Sequence, residues 1–136
     1  MILLDTNVVI AILNDRPASV RDRLRIALDE GEDVGISSLV VFELRYGADR
    51  SAHPERNHAR IDDLLAGPLT VLPFTTEDAA AAGAIRAQLA KQGTPIGPFD
   101  VLIAGQAVAR ALPVVTANTR EFERVPSLNV INWGDA

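Results

Sequence analysis

One aspartate set between two apolar runs constrains this chain more than any other feature. Asp5 follows Met1-Ile2-Leu3-Leu4 and, after Thr6 and Asn7, precedes Val8-Val9-Ile10-Ala11-Ile12-Leu13, so a core must form on both sides of it. A buried carboxylate is costly unless it is paired, hydrogen-bonded or metal-bound. An open α/β sheet accommodates such an acid at the carboxyl end of a strand, where the ligand crevice lies. Asp5, Thr6 or Asn7 would equally serve as the cap of the following helix. On these residues alone the two roles stay open.

The remaining pattern predicts the same class of fold. Strand-like segments fall near Ile2 to Leu4, Val34 to Ser37, Thr70 to Phe74, Val114 to Thr116 and Val130 to Asn132, separated by stretches with helical spacing. Alternation of this kind predicts an α/β three-layer sandwich, a central, mostly parallel sheet with helices on both faces. Pro17-Ala18-Ser19 opens an amphipathic run to Glu30, Pro54 opens another to Leu65, and Thr75 with Asp78 forms a capping pair. Gly31, Gly67 and Gly93 are placed to close helices. From Thr75 to Gln92 the chain is rich in alanine, which predicts a helix face of small residues suited to close packing.

With 136 residues, of which 48% are hydrophobic, the chain suits one domain spanning residues 1–136. The absence of cysteine excludes disulfides, thiolate metal sites and a cysteine nucleophile. The N-terminal apolar stretch is broken by Asp5 and lacks a basic leader. No later run is long enough to span a bilayer, so a soluble, cytoplasmic protein is expected. Net charge is −5, so nucleic-acid binding would need local basic clusters and bound cations. Of the 13 basic residues only Lys91 is lysine; the others are arginine, whose planar fork pairs with phosphate oxygens. Arg16, Arg21, Arg23, Arg25, Arg45, Arg120 and Arg124 are the ones to place, with solvated helix faces expected for most of the arginines. His53 and His58 lie in a polar stretch and are expected at the surface.

Two further acids stand where strands give way to helices. Glu43 lies among Val41, Phe42 and Leu44, about a turn beyond Ser38, a candidate N-cap. Asp100 follows the Gly/Pro cluster Gly93-Thr94-Pro95-Ile96-Gly97-Pro98 and falls in the first turn of a helix, where the dipole keeps a carboxylate ionised. Three carboxylates meeting at one sheet end repel unless a divalent cation sits between them. Hard oxygen donors without cysteine favour Mg²⁺ or Mn²⁺ over Zn²⁺. Thr6, Asn7, Ser38, Thr116, Asn118 and Glu121 stand at strand ends as supporting residues. Asn118 is also a candidate cap for Thr119 to Phe122, with Glu121 as its capping-box partner.

Taken together, Leu4-Asp5-Thr6-Asn7, Ile36-Ser37-Ser38 through Glu43 to Tyr46-Gly47-Ala48, Ile85 to Gly93, Ile96-Gly97-Pro98-Phe99-Asp100 and Val115 to Phe122 resemble the PIN-domain ribonucleases of the VapC type, toxin halves of bacterial toxin–antitoxin pairs. The resemblance runs from residue 2 to about residue 133. It implies a PIN-like fold, with Asp5 and Asp100 as direct metal ligands and Glu43 completing a catalytic acidic cluster. It implies Mg²⁺-dependent endonucleolytic cleavage of a structured RNA, with transfer RNA cut in the anticodon region, and initiator transfer RNA first among these. Many PIN domains carry a fourth acid where this chain has Asn118, and Glu121 is the nearest acidic replacement. Arg120 and Arg124 are the RNA-binding candidates. A homodimer is implied too, as is a cognate VapB-type antitoxin whose C-terminal segment covers the acidic pocket, the complex assembling further on operator DNA.

Rival readings lack residues they need. A haloacid-dehalogenase-type phosphatase requires an aspartate where this chain has Asn7, and a receiver domain requires a lysine after a late strand, whereas the only lysine is Lys91. No Gly-x-x-x-x-Gly-Lys phosphate loop is present. The alternative from another class is a non-catalytic PIN fold acting through partner and operator binding alone.

Overall fold

A computed structural model describes residues 1–134. Five strands, β1 (Ile2–Leu4), β2 (Val34–Ser37), β3 (Thr70–Leu72), β4 (Val114–Val115) and β5 (Val130–Ile131), pair in the order β3-β2-β1-β4-β5. Every pairing is parallel, so the mostly parallel sheet expected from the sequence is parallel throughout. The three inner strands are buried along their whole length, Leu3, Leu4, Ile36, Val114 and Val115 to 0% exposure. Uninterrupted apolar runs, rather than alternating ones, are what a sheet covered on both faces demands. Each such side chain contributes roughly 1.5–3 kcal/mol by leaving water.

Helices α1 (Thr6–Asn14) and α2 (Ala18–Asp29) connect β1 to β2, and α3 (Ser38–Asp49) and α4 (Pro54–Leu65) connect β2 to β3. Helices α5 (Thr76–Lys91) and α6 (Pro98–Ala109) carry the chain back across the sheet to β4, and α7 (Thr119–Phe122) precedes β5. Parallel crossovers are right-handed, so connections running in opposite directions along the sheet cover opposite faces. The first four helices accordingly pack among themselves, while α5 packs on α6. The chain order reverses beside β1, and the crevice between the carboxyl ends of β1 and β4 is the topological switch point.

The helix ends show how local chemistry sets these directions. Thr75 and Asp78 form the reciprocal capping box expected for α5. Gly31 and Gly93 follow α2 and α5 with φ of 83° and 71°, conformations that cost glycine nothing. Helix α3 is capped by Ser37, not Ser38, because Ser37 accepts the Leu39 amide at 3.1 Å. Ser38 instead accepts the Phe74 amide at 3.1 Å and ties the end of β3 to α3. His58 is a second correction: it is half-buried, with Nε2 2.7 Å from Asp49 and Nδ1 3.1 Å from Arg45.

The small-residue face of α5 does pack closely. A Cβ placed on Gly105 would lie 2.5 Å from the backbone and Cβ of Ala82, so α5 and α6 touch almost main chain to main chain. Asp78 has a second role at this contact, accepting Arg110 Nη2 at 3.0 Å while only 2% exposed. Burial pushes the Asp78 carboxyl up, but hydrogen bonds from Arg110 and Thr75 outweigh it and hold the group below its usual range.

Gly105→Ala is expected to destabilise the protein by about 1–3 kcal/mol through overpacking, read by urea denaturation. Asp78→Asn is expected to cost about 1–3 kcal/mol at pH 7. Because the folded Asp78 binds its proton less tightly than the unfolded one, the stability it contributes is present above its ordinary value of 3.8 and is lost as pH falls through the depressed one. The gap between wild type and Asp78→Asn should therefore close in acid.

Candidate active site

Asp5 closes β1 and caps α1. One carboxylate oxygen accepts the Thr6 amide at 2.8 Å and the other accepts the Thr116 hydroxyl at 2.9 Å, in a residue only 2% exposed. The capping role left open by the sequence is thus filled by one oxygen, while the second reaches across the switch point to the end of β4. Thr116 Oγ1 in turn accepts the Asn118 amide N–H at 2.9 Å, which directs its own proton to Asp5.

Asn118 carries the connection onward. Its side-chain nitrogen donates to Asp100 Oδ2 at 3.2 Å and also to Glu121 Oε2. It makes no capping bond to α7, so the reading of Asn118 as a helix cap is replaced by a bridge between two acids. Glu121 Oε1 accepts the Gly97 amide at 3.2 Å, tying α7 to the loop that opens α6. Asp100 lies in the first turn of α6, as its spacing predicts. One continuous strip therefore runs from Asp5 through Thr116 and Asn118 to Asp100 and Glu121.

The acids in this strip perturb one another. Burial raises the Asp5 carboxyl, hydrogen bonds from Thr116 and Thr6 oppose it, and the charge of Glu121 adds to the rise. Asp100 is pushed up to about 7, first by burial, then by its hydrogen bond to Glu121 and the charges of Asp5 and Glu121. Glu121 goes the other way, held down chiefly by the Asn118 amide, with Asp100, Gly97 and Arg124 assisting. Of the two acids, Asp100 is therefore the one that binds a proton more readily.

The donor set fits a hard divalent cation. Asp5 and Asp100 offer oxygens under mutual repulsion, and the buried Thr6 Oγ1 beside Asp5 has no hydrogen-bond partner. Among the described residues no three acidic or histidine side chains are set closely enough to enclose a metal by themselves. A hard divalent cation held here by one or two carboxylates would retain several waters.

The other candidate residues lie apart from the strip. Glu43 is half-buried on α3 and forms no hydrogen bond or ion pair with it; Glu43 lines a neighbouring cleft of about 400 Å³ with Ile10, Arg56 and Arg60. Asn7 is exposed in the first turn of α1, and Ser38 is engaged with Phe74. Arg120 is exposed on α7, and Arg124 donates to the Pro95 carbonyl at 2.9 Å, anchoring the loop before Asp100. Among the other arginines, Arg21 faces Asp15 at 4.0 Å, Arg25 faces Asp22 at 3.1 Å and Arg45 faces Asp62 at 2.7 Å. Arg16 and Arg23 are exposed. The backbone amide of Gly97 was not foreseen as a site group; the Gly/Pro cluster before Asp100 was its only signal.

The model of the PIN domain matches residues 2–128. The chain belongs to the PIN-domain family. Among relatives of this PIN protein, the tRNA(fMet)-specific endonuclease VapC of Shigella flexneri is 47% identical over 131 residues, 96% of each chain. The protein of the same name from Salmonella typhimurium is 43% identical, also over 96% of each. Among solved structures, VapBC2 of Rickettsia felis bound to a promoter DNA fragment superposes with a TM-score of 0.90 at 34% identity, covering 98% of this chain and 100% of that one. DNA-bound VapBC of Salmonella typhimurium gives 0.89 at 42% identity with the same coverage. Within the PIN family the chain is of the VapC type.

Without metal, the raised Asp100 carboxyl binds its proton more tightly folded than unfolded. It therefore favours folding at lower pH and opposes it as pH rises from its ordinary 3.8 through about 7. Compared with Asp100→Asn, the metal-free wild type is expected to lose stability in thermal melts as pH rises from 5 to 8. Added Mg²⁺ should restore stability at pH 8 and much less at pH 5.5, because protons compete with the cation. Identical pH profiles for the two proteins would count against the coupled acids.

Proposed function

We propose that this protein is the toxin of a type II toxin–antitoxin module, a Mg²⁺-dependent endoribonuclease acting on initiator transfer RNA in its anticodon region. The observation that carries this reading is the hydrogen-bonded strip of Asp5, Thr116, Asn118, Asp100 and Glu121 at the switch point of the sheet. Similarity to tRNA(fMet)-specific VapC enzymes supports the choice of substrate. Similarity to VapBC assemblies on promoter DNA supports a VapB-type antitoxin and operator DNA as partners. The toxin itself is proposed as a homodimer. The cytoplasm is the compartment in which all of these meet. No helix among the described residues is long and apolar enough to cross a membrane.

In this reading Asp5 and Asp100 hold the cation and Glu43, from the neighbouring cleft, is the third acid. Mg²⁺, when bound, supplies charge neutralisation at the phosphate and a lowered pKa for water there; Mn²⁺ is the expected substitute. The chain's own contribution is positional. Thr116 and the Thr6 amide fix the Asp5 carboxylate in one orientation before any ligand arrives, and Asn118 does the same for Asp100. Glu121, bridged to Asp100 through the Asn118 amide, adds negative charge beside Asp100, which releases its proton to solvent when a cation binds. Arg120, on the rim beside Asn118, is placed to meet RNA phosphate, while Arg124 steadies the loop. Antitoxin inhibition follows if a basic side chain enters the acidic pocket in place of the cation.

Purified protein is expected to cut initiator transfer RNA once in Mg²⁺, to leave elongator methionine transfer RNA intact, and to cut neither in EDTA. Asp5→Asn, Asp100→Asn and Glu43→Gln should each lower cleavage roughly a hundredfold while the melting temperature in EDTA is kept or raised. Wild-type protein that cuts no RNA and gains no stability from Mg²⁺ would favour a binding module without catalysis.

A further inference from the structure

A small cavity beside the acidic strip has no part in holding the cation. It measures about 190 Å³ and is lined by Asn7, Val8, Arg16, Ala117, Asn132 and Trp133, among others. Asn7 lies two residues beyond Asp5. Ala117 sits between Thr116, which bonds Asp5, and Asn118, which bonds Asp100. The cavity and the strip therefore draw on the same two segments at the switch point, the start of α1 and the loop after β4.

We propose that this cavity is a subsite for one nucleobase of the RNA, next to the phosphate held at the acids; this rests on the ribonuclease reading above. Size argues for a fragment, since pockets for drug-sized ligands begin at roughly 300 Å³. One flat ring system is what the space admits. The walls argue for a base in particular. Trp133, Val8, Ala11 and Val20 supply apolar contact, and an aromatic wall with a few amides is how proteins read unstacked RNA bases. Asn132 Oδ1 is committed to the Gly134 amide at 3.1 Å, which leaves its side-chain NH₂ to donate to a ring nitrogen or carbonyl. Asn7 offers both a donor and an acceptor. Arg16 lines the cavity and is exposed, so its guanidinium is available to the phosphate that must accompany a base.

The cavity is also formed in advance. A Cβ on Gly134 would lie 2.7 Å from Ser19 Oγ and 3.0 Å from Val20 Cγ2, so the segment after β5 is seated directly on α2. Trp133, in that same segment and only 7% exposed, belongs to the core cluster. A rigid wall of this kind discriminates between bases without first having to order itself.

Trp133 is the only tryptophan, so its fluorescence reports on this wall alone. Metal-free wild-type protein should be titrated with the four nucleoside 5′-monophosphates and with a trinucleotide spanning the cut. At least one is expected to quench saturably. Arg16→Ala should weaken that binding about tenfold and, with RNA substrate, raise KM while leaving kcat within about twofold, as the loss of uniform binding requires. Asn132→Asp keeps the acceptor for Gly134 but replaces the free donor, and should change which nucleotide quenches best. The proposal is overturned if no nucleotide perturbs Trp133, or if both variants match wild type in quenching and KM. Saturable quenching by a protein that cuts no RNA would keep the base subsite and remove the ribonuclease reading, so the two fail separately.

Discussion

The Asp5 carboxylate, held between the Thr6 amide and the Thr116 hydroxyl, is the contact on which the site depends. It joins the first strand to the fourth at the point where the sheet changes direction, across 111 residues of sequence. Burial at 2% exposure raises the free energy of the ionised form, and two hydrogen bonds only partly compensate. The fold thus keeps a stressed anion in a fixed place. A bound cation would relieve that stress, which links metal binding to stability without any change of shape.

The same economy is visible in the loop before α6. Gly97 caps the helix, its amide is taken by Glu121, and Arg124 holds the Pro95 carbonyl. These contacts place the first turn of α6, and so Asp100, against α7 before anything binds. Behind them α6 is pinned to α5 by Gly105 against Ala82 and by Arg110 on Asp78. Asp100 thus stands on a helix whose other end is locked into the core. Its neighbours set its orientation and its proton affinity together.

Much of this was legible in the sequence because the signals are local. Apolar runs broken by Asp5 marked β1 and the site at once, and Thr75 with Asp78 marked the start of α5. Asp100 was placed in a first turn by Gly97-Pro98 alone. What the sequence left open depended on partners far along the chain. Nothing near Asn118 says that its amide spans Asp100 and Glu121 rather than capping α7. His58 looked exposed because its stretch is polar, yet it sits between Asp49 and Arg45 on the facing helix. Glu43 is surrounded by apolar residues in sequence, but helical rotation puts it on the wall of a cleft shared with α1 and α4. Whether neighbouring residues predict burial depends on which face of the helix they occupy.

A net charge of −5 need not oppose an RNA substrate once the charges are placed. Several arginines are engaged within the fold: Arg110 with Asp78, Arg45 with Asp62, Arg124 with Pro95, and Arg60 with the Leu13 carbonyl. Two exposed ones lie near the acidic strip, Arg16 lining a cavity with Asn7 and Ala117, and Arg120 two residues beyond Asn118. Screening confines surface charges to about 8–10 Å at physiological ionic strength. A phosphate at the strip would therefore feel the acids, their cation and these two guanidinium groups far more than the remote carboxylates that set the net charge. The acids repel RNA until a divalent ion is bound, and the flanking arginines attract it throughout. Cation binding would then set the sign of the local field at the acids as well as supply the chemistry, strengthening the hold on a long RNA while a single nucleotide beside Arg16 needs no metal.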